Sequence, residues 1–177
     1  MKKCVTAILL ILTTASFALS VQEPAEWIKH SSPEGRYSVL LPAQPTIGTQ
    51  ESATADGEKF TQYKATLVEG NGVYLIGYFD CVAGTTYSLD KGRDGMVEAV
   101  KGTLLSESAI SLGGSPGREL KVAARTPNGT EFILSTRIYD VDKRVYVLQF
   151  VSPKSEDGNG SAKATRFFDS FQVTKIR

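Results

Sequence analysis

Two short segments of this chain have no polar side. Over residues 73–82, one face of a strand would carry Val73, Leu75, Phe79 and Cys81, and the other Tyr74, Ile76, Tyr78 and Val82. Residues 145–151 have the same character. A strand that is apolar on both faces is stable only where both are covered. Each segment is therefore expected in the interior of a sheet, with packing layers above and below it.

The turn signals make that sheet antiparallel. In residues 60–68, Tyr63, Ala65 and Leu67 alternate with Gln62, Lys64 and Thr66, the period of a half-buried strand. Asn71-Gly72 follows as a tight hairpin turn. Leu120, Val122 and Ala124 alternate with Glu119, Lys121 and Arg125, Pro127-Asn128-Gly129 turns the chain, and Phe132, Leu134, Thr136 and Ile138 form the next inward row. Residues 140–143 turn into the second apolar segment, and residues 113–117 are a further turn. Upstream, residues 27–29 and 36–41 read as strands around a turn at Pro33-Glu34-Gly35, and residues 45–57 as a loop or irregular edge. Residues 172–175 add a short strand at the end.

Two stretches change period. Leu89, Met96, Val97, Val100 and Leu104 share one helical stripe over residues 88–105, with Ser88 as N-cap and Asp90 at the positive helix start. Gly92, Gly95 and Gly102 each cost roughly 1 kcal/mol against alanine, so packing must hold this helix. Ala164, Phe167, Phe168 and Phe171 fall at i, i+3, i+4 and i+7, the aromatic face of a C-terminal helix. The expected fold is α+β: an antiparallel sheet of about six strands sandwiched by two helices.

Residues 1–20 read as a secretory signal: Met1-Lys2-Lys3, an apolar run from Cys4 to Leu12, and small residues ending in Ala18-Leu19-Ser20. The run is short of the roughly 20 apolar residues that span a bilayer. Cleavage is expected after Ser20, with Ala18 the alternative. Cys4 precedes the apolar run, which does not fit a lipoprotein acylation site. No later segment is long and apolar enough to cross a membrane. The expected product is a single exported domain over residues 21–177, periplasmic or extracellular and soluble.

Composition then narrows the function. The 20 Lys and Arg against 19 Asp and Glu of the whole chain become 18 against 19 once Lys2 and Lys3 leave, a net charge of −1. Such a domain lacks the electrostatic footprint of a nucleic-acid or anionic-membrane binder. Only Cys81 remains after cleavage, so neither an intramolecular disulfide nor a zinc framework is available. His30 is the one histidine.

Several features together are familiar. They are Trp27; Ser32-Pro33-Glu34-Gly35-Arg36-Tyr37-Ser38-Val39 running into Leu41-Pro42; and Gly114-Ser115-Pro116-Gly117-Arg118-Glu119 before a strand. Arg144-Val145-Tyr146-Val147-Leu148 and Phe167-Phe168-Asp169-Ser170-Phe171 complete the set. The chain resembles small exported bacterial proteins of the PsbP-like fold group, mostly uncharacterised, whose fold is shared by the PsbP subunit of photosystem II and Mog-type Ran-binding proteins. The resemblance implies an α/β/α sandwich and a binding or accessory role. It carries no site residue across.

The candidate chemistry is weak. Cys81 and His30 are the one possible thiol–imidazole pair, which would need hydrogen-bond contact; Cys81 is expected to be a buried, inert thiol. Gly113 to Gly117 lacks the Lys-Ser/Thr and helix of a phosphate loop. Asp90, Asp94 and Glu98 lie at i, i+4 and i+8 along about 12 Å of helix, too spread for calcium, and are expected as a solvated face partly paired with Lys91 and Lys101. Asp157-Gly158-Asn159-Gly160 starts like a calcium loop but lacks its later ligands and reads as a flexible turn. Asn128-Gly129-Thr130 and Asn159-Gly160-Ser161 match the glycosylation sequon, though Asn-Gly is also a common turn pair. Trp27, Tyr37, Tyr63, Tyr74, Tyr78 and Tyr87 are expected mostly in the core, with an exposed subset available to a partner.

No catalytic, cofactor-binding or metal-binding residue is assigned, and no cofactor. The expected function is a non-catalytic binding or accessory protein of the cell envelope, with a protein partner or a small ligand. The alternatives are a carrier of a small apolar ligand between sheet and helix, or a hydrolase built on carboxylates such as Asp80 or Glu119 with tyrosine partners.

Overall fold

The computed structural model describes residues 26–53, 57–81 and 84–174. The expected signal, its cleavage site and Val82 lie outside the described residues. The chain runs β1 (Ile28–Ser32), β2 (Tyr37–Leu41), β3 (Thr46–Ala53), β4 (Lys59–Glu69), β5 (Gly72–Asp80), α1 (Leu89–Ala99), β6 (Thr103–Leu112), β7 (Ser115–Arg125), β8 (Glu131–Val141), β9 (Arg144–Pro153), α2 (Asp157–Asp169) and β10 (Gln172–Val173). Seven strands form one antiparallel sheet in the order β3-β4-β5-β9-β8-β7-β6, and β1-β2-β10 form a second sheet.

The two segments apolar on both faces become β5 and β9, side by side in the interior of the large sheet. Their register sets Tyr74 against Phe150, Ile76 against Leu148 and Tyr78 against Tyr146. These six side chains are buried under Tyr37, Val39 and Leu41 of β2 and under Ala164, Phe167, Phe168 and Phe171 in and just beyond α2. The cover on this face is thus a small sheet together with a helix, where the sequence reading supplied a helix alone.

The opposite face is covered less well than expected. Leu120, Ile138 and Val145 are buried there, with Phe79, Tyr87, Leu89, Met96 and Val147 packed around them. Val73 and Leu75 stay half-buried and α1 buries none of its own residues. Geometry explains it: seven strands are about 29 Å across at the usual strand spacing, whereas the 11 residues of α1 reach about 16 Å.

The sheet is larger than the expected six strands because both edges carry little sequence signal. β3 is exposed at nearly every position and is held by its backbone pairing to β4. β6 starts at Thr103, where the helical stripe had been extended to Leu105. Two further corrections are local. The β4–β5 turn is Gly70-Asn71, closed by the Glu69–Gly72 pair, with positive φ at Gly70 only, as a type II′ turn requires. Residues 157–160 are the first turn of α2 and not a flexible loop. Asp157 there reaches Lys121 of β7 at 2.7 Å and complements the helix dipole.

Gly95 within α1 and Gly102 between α1 and β6 differ sharply. A Cβ at Gly95 would meet nothing within 4 Å. One at Gly102 would lie 2.9 Å from the backbone oxygen of Ala123 and 2.5 Å from a Val122 methyl, so the chain could enter β6 only with the sheet displaced. Chemical denaturation is therefore expected to show Gly95→Ala stabilising by about 1 kcal/mol and Gly102→Ala destabilising. Equal effects would refute this placement of α1.

Candidate functional site

Two hairpins set four tyrosines in one row. Tyr63 pairs with Tyr78 across the β4–β5 turn, Tyr139 with Tyr146 across the β8–β9 turn, and Tyr78 with Tyr146 between the hairpins. Tyr37 packs on the row from β2, its ring 6.1 Å from that of Tyr78 and 6.4 Å from that of Tyr146. The sequence reading singled out Tyr37, Tyr63 and Tyr78 but missed Tyr139 and Tyr146. The signal was present, because each pair is symmetric about its turn. Reading the first turn as Asn71-Gly72 would instead set Tyr63 opposite Asp80.

Arg144 ties this end of the sandwich together. Its Nε donates to one Asp80 oxygen at 2.6 Å and one terminal nitrogen to the other at 2.7 Å. The second terminal nitrogen donates to the Glu34 carbonyl at 2.6 Å, and the guanidinium lies 4.8 Å above the Tyr78 ring. Its side chain is 11% exposed. Tyr146 adds a hydrogen bond from its hydroxyl to the Gly35 carbonyl at 2.9 Å. Together they fasten the β1–β2 turn to the large sheet. Hydrogen bonding to Arg144 holds the Asp80 carboxyl below its ordinary range, with a smaller contribution from the charge of Arg36. Burial pushes the Tyr146 hydroxyl up.

Arg36 leaves that turn with φ of 54°, a left-handed conformation that costs residues other than Gly or Asn roughly 1–2 kcal/mol. Its backbone is satisfied: the N–H donates to Pro33 at 3.1 Å, and the carbonyl accepts from Thr174 N–H at 2.8 Å. Its half-buried side chain makes no hydrogen bond or ion pair among the described residues. It lines a cleft of about 760 Å³ with Ser115, Asp142, Tyr146, Phe171 and Thr174. The far wall includes the β8–β9 turn, where Asp142 and Lys143 have φ of 50° and 65°, as a type I′ turn demands.

The other sequence candidates are not assembled into a site. Strand β5 stops at Asp80, so Cys81 follows it, half-buried and not fully buried as expected, with its thiol pushed up by burial. Cys81 packs with Phe79 and Tyr87 on the α1 side, whereas His30 lies in the small sheet on the other side, 3.4 Å from the Tyr37 hydroxyl. Burial pushes His30 down. Gly113-Gly114 is a plain hairpin turn. Asp90 pairs with Arg118 at 2.5 Å and Asp94 with Arg93 at 2.8 Å, arginines in place of the expected lysines. Among the described residues no group of three or more His, Cys, Asp or Glu side chains is placed to hold a metal ion. Glu119 pairs with Arg137 at 2.9 Å. Asn128 is in the β7–β8 turn beside Thr126, and the Asn159 backbone is in α2. Of the six aromatics, Tyr37, Tyr74 and Tyr78 are buried, Trp27 and Tyr87 half-buried, and Tyr63 is 43% exposed.

The strain at Arg36 gives a direct test. Asn tolerates positive φ and keeps both backbone hydrogen bonds. Arg36→Asn is expected to stabilise the fold by about 1 kcal/mol in chemical denaturation. A loss of stability would show that the guanidinium has a structural partner.

No protein-family model matches the chain, and no curated protein matches it in sequence. Solved structures do match. The solution structure of cyanobacterial PsbP (CyanoP) from Synechocystis sp. PCC 6803 is 12% identical, with a TM-score of 0.59 over 92% of this chain and 98% of that one. A Pseudomonas aeruginosa protein of unknown function, PA94, described as a putative regulator, is 13% identical with a TM-score of 0.45, covering 85% of this chain and 99% of that one. A Bacteroides thetaiotaomicron protein is 19% identical with a TM-score of 0.47, covering 83% of this chain and 48% of that one. The first of these matches spans nearly both chains, and it carries the conclusion that this chain has a PsbP-like fold.

Proposed function

We propose that this chain is a non-catalytic binding protein of the cell envelope and that it binds at the cleft beside the tyrosine row. The observation that carries the reading is the cleft itself. Its volume of about 760 Å³ falls in the range of small-molecule sites, and the wall that carries Arg36 is fastened to the large sheet by Arg144 and Tyr146. The carboxylates of the hydrolase alternative are committed elsewhere: both oxygens of Asp80 are held by Arg144 and Glu119 by Arg137. A carboxyl held ionised by a bidentate arginine is a poor proton donor. For the apolar-carrier alternative, Phe150, Phe167 and Phe168 fill the space between the sheet and α2, whereas on the side of the glycine-weakened helix Val73 and Leu75 stay half-buried and α1 buries none of its own residues. The lysine-led N-terminus supports export, and no helix among the described residues is long and apolar enough to cross a membrane.

Screening a mixed library of small acids, amines, sugars and short peptides by amide chemical-shift perturbation tests the proposal. Binders are expected to move Ser115, Val141, Asp142 and Thr174 together. Perturbations grouped elsewhere, or ester hydrolysis that disappears in Asp80→Asn, would overturn it.

A further inference from the structure

We infer that the ligand of this cleft is a small organic monocarboxylate with an apolar body, held through its carboxylate by Arg36. This rests on the reading of the cleft as the binding site. Among the described residues that line the cleft, Arg36 is the one cation, and it has no hydrogen bond or ion pair. Asp80, the carboxylate its charge influences, already gives both oxygens to Arg144. Asp142 lines the cleft as well and forms no ion pair with Arg36 among the described residues. A guanidinium left without a partner, on a half-buried residue, keeps its full capacity for a paired, two-point hydrogen bond to a carboxylate.

The backbone points the same way. The residue that carries this guanidinium sits at a φ where Asn or Gly would be less strained. Strain kept at a cleft-lining residue is a mark of function when the structure around it holds it in place. Arg144, Tyr146 and Thr174 do so, through the Glu34, Gly35 and Arg36 carbonyls.

The remaining lining selects among anions. Leu112, Val141 and Val173, each half-buried, supply apolar surface for a hydrocarbon or aromatic body. Asp142 places a negative charge on the same cleft, so the described lining residues carry one positive and one negative group. That balance tolerates one ligand charge and opposes two. A carboxylate fits it, and a phosphate dianion does not.

The test is a titration of the isotope-labelled exported protein at fixed ionic strength. The probes are phenylacetate, hexanoate, phenylacetamide and inorganic phosphate, and the readouts are the amides of Ser115, Asp142 and Thr174 and the side-chain Nε–Hε of Arg36. Phenylacetate or hexanoate is expected to give saturable shifts at these groups, and phenylacetamide to bind roughly tenfold or more weakly. Arg36→Asn, which relieves the strained φ and keeps the fold, is expected to lose roughly tenfold or more in carboxylate affinity, and Arg36→Lys to lose less. Equal binding of acid and amide at these groups, or unchanged carboxylate affinity in Arg36→Asn with a native spectrum, overturns the ligand class but leaves the cleft as the site. Phosphate binding as tight as that of the carboxylates does the same, as does the absence of any shift from either acid up to about 10 mM. Saturable shifts confined to other surfaces overturn the site as well.

Discussion

The packed face shared by β5 and β9 is the constraint on which the rest of this structure depends. Tyr74, Ile76, Tyr146, Leu148 and Phe150 are removed from water there, and burying Ile76, Leu148 and Phe150 stabilises by roughly 1.5–3 kcal/mol each. That face needs a cover larger than one helix. The chain supplies it by bringing together its two ends: β1 and β2 from the start, α2 and β10 from the finish. Ring geometry fixes how they meet, with Trp27 and Phe167 both edge-on to Tyr74 at 5.7 and 5.4 Å. β10 joins the β1–β2 hairpin through Gln172 and Val173, so the second sheet draws on both ends of the described chain.

That arrangement also creates the site. The β1–β2 turn must end over the tyrosine row, and Arg144 and Tyr146 capture its two carbonyls there. With the turn held, Arg36 projects beside the β8–β9 and β6–β7 turns, and the gap between these three turns is the cleft. Arg144 fastens the turn through the Glu34 carbonyl and commits both oxygens of Asp80 to itself. The geometry that closes the sandwich therefore leaves Arg36 on the cleft without a hydrogen bond or ion pair among the described residues.

The parts legible in the sequence were those whose side chains report their surroundings. Tyr74 and Tyr146 sit in segments with no polar face, and both segments are interior strands. Phe167 and Phe168 marked α2, and the resemblance carried by residues 32–42 and 144–148 anticipated the PsbP-like fold. The edges were not legible. Thr46 to Ala53 and Thr103 to Leu112 are strands through backbone pairing to β4 and β7, and backbone groups leave no residue pattern. Nor was the site legible, because Arg36 acquires its meaning from contacts it lacks. Its turn was visible, but the bidentate hold of Arg144 on Asp80, 64 residues away, is a tertiary fact. The tyrosine row fell between these cases: its two hairpin pairs follow from turn symmetry, and a one-residue error at Gly70-Asn71 hid one of them.

Arg144 is consumed internally, while Arg36 has no hydrogen bond or ion pair among the described residues. Exchange of the two side-chain Nε–Hε protons with water, measured by NMR on the unliganded protein, tests this contrast most directly. The Arg144 proton, bonded to Asp80 on a nearly buried side chain, should exchange slowly, and the Arg36 proton should exchange at close to the rate of a free arginine. Protection of Arg36 equal to that of Arg144 would mean that it already has an internal partner, and the account of the cleft would fail.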